Sequence, residues 1–384
     1  MARRSRPERV RIAQLANFVG PSSGGMKTAV NALGAGYVAA GAQRLLVVPG
    51  PRDARLSSEA GDVVQLRAPR VRGGYRLIVE PWRVIEVLEE FGPTSLEVSD
   101  KSTLLPVTRW ARRNGVRALL FSHERLDAML ALRTGWPTGS AVSVSALNRL
   151  LVRRFDGIVV TSTFAKREFS ALAGAVGTPL HQIALGVDLE TFRPHHRTDP
   201  RHGPLRLVHV GRLSREKSPQ LAIATAVALH RRGVPIRLDV YGEGPHRDEL
   251  ERIARGAPVT FHGHVAGRKE LATRISRADV ALSVCPGETF GLAVLESLAC
   301  GTPVVTADVG GARELVDESS GDWADPDPEA LADAVERLAA RPVHELRTAA
   351  RRRAGQFSWE RSVDSMVALH QVADTRPELA DHSA

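Results

Sequence analysis

Short apolar runs, each closed by Gly, Pro or Asp, alternate with longer stretches of helical period from one end of the chain to the other. Runs with no polar side cannot lie on a half-solvated sheet, so the pattern predicts α/β architecture: parallel, doubly wound sheets with helices on both faces. In the first half the strands are expected at Val10–Ala16, Arg44–Val48, Ser95–Val98, Ala118–Ser122 and Gly157–Thr161, with helices such as Met26–Ala40 and Leu104–Asn114 between them. In the second half they are expected at Leu205–Val210, Arg237–Tyr241, Val259–His262, Val280–Val284 and Pro303–Ala307, separated by Pro219–Arg232, His246–Arg255 and Arg268–Arg277.

The same rhythm in both halves predicts two domains, which suits a chain of 384 residues. Between them Asp188 to Pro204 carries three prolines and three histidines with no periodicity, and reads as a linker. The division is residues 1–190, a linker at 191–204, a second domain at 205–355, and a C-terminal helix over 356–384 that returns toward the first domain and ends in a frayed tail. Pro328–Ala340 and Val343–Gln371 are the helices expected after the second sheet. Ligands of open α/β sheets bind at the carboxyl ends of the strands, so two such sheets facing each other place the site in the cleft between them.

Two cysteines, Cys285 and Cys300, exclude a zinc ribbon and an iron–sulfur centre, and fit a reducing cytoplasm. The start, MARRSRPERVRIAQL, alternates charged and apolar residues where a signal peptide would be continuously apolar, and no run is long enough to span a bilayer. The expected location is the cytoplasm, with peripheral contact at the inner face of the plasma membrane. The net charge of +9 comes almost wholly from arginine, since there are only five lysines, and no basic block is interleaved with aromatics. Nucleic acid is therefore not an expected partner.

Two strand-end segments carry chemistry. In PGETFGLAVLESLACGTPVV, Pro286 to Val305, a strand ends in a loop holding Glu288 and a helix begins near Gly291. The amides of Phe290, Gly291 and Leu292 then form a helix N-terminus suited to a diphosphate, and Glu296, eight residues after Glu288, could accept hydrogen bonds from vicinal hydroxyls. In HVGRLSREKSP, His209 to Pro219, Arg212 and Lys217 project from one strand end, placed to neutralise a diphosphate leaving group. Taken singly, each segment reads equally as a capped or solvated turn; on successive strand ends of one sheet they converge.

The joint pattern resembles the retaining glycosyltransferases of family 4, which use nucleotide-sugar donors and have the two-Rossmann GT-B fold. Its carriers are GRLSREKS at Gly211–Ser218, the spacing of Glu288 and Glu296, and VGGARELV at Val309–Val316, with weaker support from Gly24-Gly25, GVDLETFRP at Gly186–Pro194 and YGEGP at Tyr241–Pro245. The resemblance implies that Arg212 and Lys217 grip the donor diphosphate, that Glu288 holds sugar hydroxyls, and that Phe290, Gly291 and Leu292 present amides to sugar and phosphate. It further implies that Glu296 binds the ribose, that Gly24 and Gly25 let a loop approach the phosphates, that Val265 lies by the base, and that His123, ending the strand ALLFSH, meets the donor sugar. The chain looks most similar to GDP-mannose-dependent α-mannosyltransferases of actinobacteria that build glycolipids and lipoglycans.

That implies a hexosyltransferase with a GDP-mannose donor, a lipid-linked acceptor and no tightly bound cofactor, Mg²⁺ serving only as a stimulant. One departure bears on the base: where guanine-using relatives present an Asp, this chain has Ala266, Gly267 and Arg268, with no carboxylate before Glu270. A UDP-sugar donor (glucose, glucuronate or N-acetylglucosamine) with a lipid or soluble acceptor is the alternative, and a non-transferring nucleotide-sugar-binding protein, epimerase or hydrolase of the same fold is another. Asp325-Pro-Asp327 spells a metal-binding D-x-D, but it directly precedes a helix starting at Pro328, so Asp327 is read as a helix cap and no metal site is expected. For the acceptor side, Arg67, Arg70, Arg72 and Arg76, and Arg109, Arg112 and Arg113 beside Trp110, form basic surfaces that could dock on anionic lipid.

Overall fold

In the computed structural model, residues 10–17, 24–71, 75–126, 137–195 and 203–372 are described. The first domain contains β1 (Arg11–Leu15), α1 (Gly25–Ala39), β2 (Gln43–Gly50), β3 (Ala54–Ser58), β4 (Gly61–Arg67), α2 (Pro81–Phe91), β5 (Ser95–Val98), α3 (Leu105–Arg113), β6 (Arg117–Ser122), α4 (Pro137–Arg154), β7 (Gly157–Val160), α5 (Thr163–Lys166), α6 (Ser170–Val176) and β8 (Leu180–Gln182). Its sheet runs β3-β4-β2-β1-β5-β6-β7-β8. Every pairing is parallel except β3 with β4, an exposed hairpin at the edge.

The second domain contains β9 (Leu205–Val210), α7 (Pro219–Arg231), β10 (Ile236–Tyr241), α8 (Arg247–Ile253), β11 (Val259–Gly263), α9 (Arg268–Ser276), β12 (Val280–Ser283), α10 (Leu292–Ala299), β13 (Val304–Ala307), β14 (Gly321–Ala324), α11 (Pro328–Ala339) and α12 (Val343–Ala354). A last helix, α13, spans Trp359–Gln371. The second sheet is wholly parallel, in the order β11-β10-β9-β12-β13-β14. The single helix expected over Val343–Gln371 is two: the chain turns at Gly355, and Ser358 caps α13 by accepting from the Arg361 amide.

Each sheet has an outer apolar layer of its own, around Leu88, Leu96 and Leu120 in the first domain and Leu207, Ile223 and Leu238 in the second. The inner faces share one continuous core running from Ile12, Leu33 and Tyr37 through Val363 and Met366 of α13 to Phe290, Leu295 and Val304. Helix α13 lies on α1, where Gly36 presses so closely on Val363 that a Cβ there would overlap that side chain. Beneath it, His370 shares a 2.8 Å hydrogen bond with Ser95 and lies 3.5 Å from the buried Glu97 carboxylate. Burial opposes a charge on Glu97, but His370, Tyr37 and Gln14 outweigh it and hold the carboxyl below its ordinary range.

The segment read as a linker is structured at its start. Asp188 accepts from the Glu190 and Thr191 amides, and Phe192 is fully buried, so the chain is packed as far as Phe192 and exposed over 193–195. The two passages between domains also touch, because Val187 N–H donates to Phe357 C=O at 3.1 Å.

Candidate active site

Contacts between the two domains bring loops from the carboxyl ends of both sheets together. A Cβ on Gly25 would sit 3.4 Å from Leu292 Cδ1, so the glycine turn that opens α1 rests on the first residue of α10. The same test at Gly24 finds nothing within 4 Å, so that residue borders open cleft. From the opposite side, the Arg212 guanidinium lies over the Tyr75 ring of the first domain at 5.5 Å, and also faces Glu216 at 3.7 Å.

Lys217 and Glu288 meet directly, Nζ to Oε2 at 2.8 Å. Lys217 closes a 3₁₀ turn, Arg215–Lys217, whose next residue Ser218 has φ 46°, an unusual left-handed value for a residue with a side chain. That turn leaves Lys217 at the mouth of the site, its side chain 41% exposed, instead of extending into α7. Burial works against its charge, but the Glu288 carboxylate and, across the cleft, Glu124 more than offset this, and the ammonium titrates above the ordinary lysine range.

Glu288 sits in the loop between β12 and α10. Gly291 enters α10 at φ 104°, a conformation that favours glycine, and a Cβ there would press on Ala312 at 3.2 Å. Behind the loop, Gly311 N–H donates to Glu288 C=O at 2.6 Å. The VGG turn is thus the back wall of the loop.

Glu296 lies within α10, its side chain 16% exposed, with the nearest cation, Arg268, at 4.0 Å. Burial pushes its carboxyl up to about 7, Arg268 lowers it and Asp188 raises it further. Arg268 also lies over the Phe192 ring at 5.1 Å. Val265, after β11, is partly buried against the shared core.

His123 ends β6. Its Nε2 shares a 3.0 Å hydrogen bond with Ser99 Oγ, and its ring stacks on Phe121 at 4.3 Å. Burial pulls its pKa down to about 4, Glu97 raising and Lys101 lowering it, so the ring is neutral at physiological pH. Lys101 pins the following residue by donating to Glu124 C=O at 2.6 Å while pairing with Glu168 at 3.1 Å.

Other sequence readings resolve locally. Asp327 caps α11, accepting from Glu329 and Ala330 amides at 3.0 and 3.1 Å. Cys285 and Cys300 are separate buried thiols, pushed up to about 11 and 12 by burial. Among the described residues no group of three or more His, Cys, Asp or Glu could hold a metal ion. Trp110 is not an open anchor: its Nε1–H donates to Glu89 at 3.1 Å and its ring packs on the first domain's outer core. Among the described residues the exposed tryptophan is Trp82, 56% accessible, beside Val79 at 48%. Arg72 lies outside the described residues.

The contributors the sequence did not single out are Tyr75, Ser99 and Lys101, together with Ser162 and Glu314 at the domain junction. Ser162 Oγ donates to Thr289 C=O at 2.6 Å, and Glu314 accepts from the Thr163 and Phe164 amides at 2.9 and 2.7 Å. Tyr75, Ser162 and Glu314 act across the interface, whereas Ser99 and Lys101 support the end of β6 from within the first domain.

Comparison with known proteins establishes the family and the fold. Residues 24–186 match the model of the glycosyl transferase 4-like domain, and residues 204–341 that of glycosyl transferases group 1. The chain is 42% identical over 372 residues to the GDP-mannose-dependent alpha-(1-6)-phosphatidylinositol dimannoside mannosyltransferase of Mycobacterium tuberculosis (strain ATCC 25177 / H37Ra), covering 94% of this chain and 95% of that one. Among solved structures it is similar to sucrose-phosphate synthase from Thermosynechococcus elongatus, with TM-score 0.78, 22% identity and coverage of 94% and 98%. It is likewise similar to Anabaena HepE in complex with UDP and glucose, with TM-score 0.71, 16% identity and coverage of 94% and 99%. Both likenesses support the GT-B fold, two Rossmann-like domains facing across a cleft. With near-complete coverage at 42% identity, the chain belongs to the group 1, family 4-like glycosyltransferases.

Proposed function

We propose that the enzyme transfers an α-mannosyl group from GDP-mannose to a lipid-linked acceptor, a mannosylated phosphatidylinositol being the acceptor class that its full-length relative's name supports. The observation that carries the donor side is the Lys217–Glu288 pair, which holds a cation and a sugar-binding carboxylate together in front of the α10 N-terminus. Arg212, Lys217 and the amides of Phe290, Gly291 and Leu292 take the diphosphate, Glu288 and His123 take sugar hydroxyls, and Glu296 takes the ribose. Gly24 and Gly25 cover the phosphates, and Val265 lines the base site.

In this reading the bond from the anomeric carbon to the phosphate oxygen breaks as the acceptor oxygen attacks the same face. The acceptor proton passes to an oxygen of the departing diphosphate, so the configuration is kept without a protein nucleophile. The chain's contribution is electrostatic: preorganised cations and amides stabilise charge that develops on the leaving group. His123, neutral through burial, contributes a hydrogen bond and no charge. Mg²⁺ acts at most by accompanying the diphosphate.

The lipid-facing edge is the segment after β4. β4 runs parallel to β2, so residues 68–71 and 75–82 lie at the carboxyl end of the sheet, beside the cleft, with exposed Arg70, Val79 and Trp82. Arg112 and Arg113 lie at the last turn of α3, where the chain heads back to the start of β6, at the end away from the cleft, with Arg109 one turn earlier. No helix among the described residues is long and apolar enough to cross a membrane, so peripheral docking is the mode proposed.

Thermal shift with GDP, UDP and ADP and their sugar donors tests the donor, because a ligand specific to the folded state raises its stability. Selective stabilisation by GDP and GDP-mannose supports the reading, and should be followed by mannosyl transfer to phosphatidylinositol mannosides in vesicles. Selective stabilisation by UDP compounds overturns the donor assignment.

A further inference from the structure

The loop that carries Glu288 is held from behind by its carbonyls. Glu288 C=O accepts from Gly311 N–H at 2.6 Å, and the next carbonyl, Thr289, accepts from Ser162 Oγ at 2.6 Å. The first clamp belongs to the second domain, but the other comes from the first domain, 127 residues away in sequence.

Ser162 is 2% exposed and uses its hydroxyl twice, accepting from Ala165 N–H at 3.0 Å and donating its one proton to Thr289. Its position is itself fixed. Glu314 of the second domain takes the two amides before Ala165, and a Cβ on Gly311 would overlap the Thr289 carbonyl oxygen and crowd Ser162 Oγ at 2.8 Å, so a glycine there lets the Thr289 carbonyl and Ser162 meet. With Thr163, Phe164 and Ala165 amides all satisfied, the start of α5 is closed and offers nothing to a ligand.

The consequence lies in the geometry of the peptide unit. Thr289 C=O and Phe290 N–H belong to one planar trans peptide and point in opposite directions. Ser162 draws the carbonyl toward the domain junction, so the Phe290 amide is turned the other way, and among the described residues nothing accepts from it.

We infer that Ser162 is a positioning residue for donor binding: through the Thr289 carbonyl it aims the Phe290 amide, so the first domain sets donor affinity without touching the donor at this point. The inference rests on the reading of this loop as the nucleotide-sugar site. It makes the acceptor-side domain part of the donor site's preorganisation.

The test uses the full chain and GDP-mannose without acceptor. Titration calorimetry should show Ser162→Ala binding about five- to tenfold more weakly, the worth of one neutral hydrogen bond, while Ser162→Thr, which keeps the hydroxyl, stays within about twofold of wild type. A lost helix cap alone would lower Tm in Ser162→Ala and leave the affinity unchanged, and that result overturns the inference. Hydrogen exchange on the wild type decides the matter even if the alanine variant fails to fold. By linkage, GDP-mannose should slow exchange at the Ala165 amide as well as in residues 288–292. Protection of residues 288–292 with Ala165 unchanged refutes the role of Ser162, whereas wild type that neither binds GDP-mannose nor gains protection in the loop refutes the donor-site reading itself.

Discussion

Lys217 Nζ stands 2.8 Å from Glu288 Oε2, joining the loop after β9 to the loop after the neighbouring central strand β12 at the carboxyl end of the second sheet. Each group is the other's neutralising partner until a diphosphate and a sugar compete for them. Removing either therefore leaves the survivor mispaired as well as deleting a contact.

Lys217→Ala and Arg212→Ala should each cost about 10²–10³ in kcat, the usual loss for one preorganised donor to a leaving group. Because Lys217 and Glu288 act as a unit, the Lys217→Ala, Glu288→Gln double variant should fall well short of the product of the single losses. Steady-state kcat and KM for the two singles and the double check this; strictly multiplicative losses would show that the pair is incidental.

Glu296 gives a pH signature. Its carboxyl is pushed up to about 7 in the folded enzyme, above the ~4.3 of an exposed glutamate, so the folded state holds the proton more tightly than the unfolded chain. That stabilisation is complete below the unfolded pKa and is lost as pH rises to about 7. Glu296→Gln, permanently neutral, should gain stability over wild type between pH 5 and about 8, by a few kcal/mol at most. GDP affinity should do the reverse, strengthening in wild type as the carboxylate forms and staying flat in the variant. Denaturant melts and GDP titrations across that range measure both, and parallel pH curves for the two proteins would remove Glu296 from the ribose site.

Gly24 separates ligand from fold. A Cβ there meets nothing within 4 Å, so Gly24→Ala should cost no packing and lower Tm by only a few °C. If the donor phosphates pass against this turn, kcat/KM for GDP-mannose should nevertheless fall by at least about tenfold through lost close approach. A variant with unaltered kinetics would place the phosphates elsewhere.

Gly36 reports on the returning helix. Gly36→Ala would drive a methyl into Val363, and overpacking of that kind typically costs about 1–3 kcal/mol. Val363→Ala in the same chain should recover part of the loss. Urea unfolding of the single and double variants measures it, and equal destabilisation in both would mean that α13 does not seat where the contact indicates.

The sheets were legible because the central strands are buried on both sides and therefore read as unbroken apolar runs. The hairpin β3–β4 was not, since Ala54–Ser58 is largely exposed and has only two apolar residues, β8 has only 3 residues, and β14 opens with Gly and Asp where the central strands have an apolar run. The break between α12 and α13 was overlooked although Gly355 and the capping Ser358 stand at it, because helical periodicity continues on both sides. In the proposed site, Arg212 and Lys217 stand out in one strand-end loop, and Glu288 and Glu296 in the loop and helix that follow another strand. Tyr75, Ser162 and Glu314 carry no such local signal, and their partners lie in the other domain.

Helix α13 has a consequence for how the protein is made. Its seat on α1, against Gly36, Ser95 and the buried Glu97, belongs to the first half of the chain, yet residues 359–371 leave the ribosome only after the whole second domain. At about 5–20 residues per second, the inner face of the first sheet waits roughly 10–30 s for its cover. The half of the message translated first is thus the part of the protein completed last, and a chaperone that shields apolar surface has that interval in which to bind.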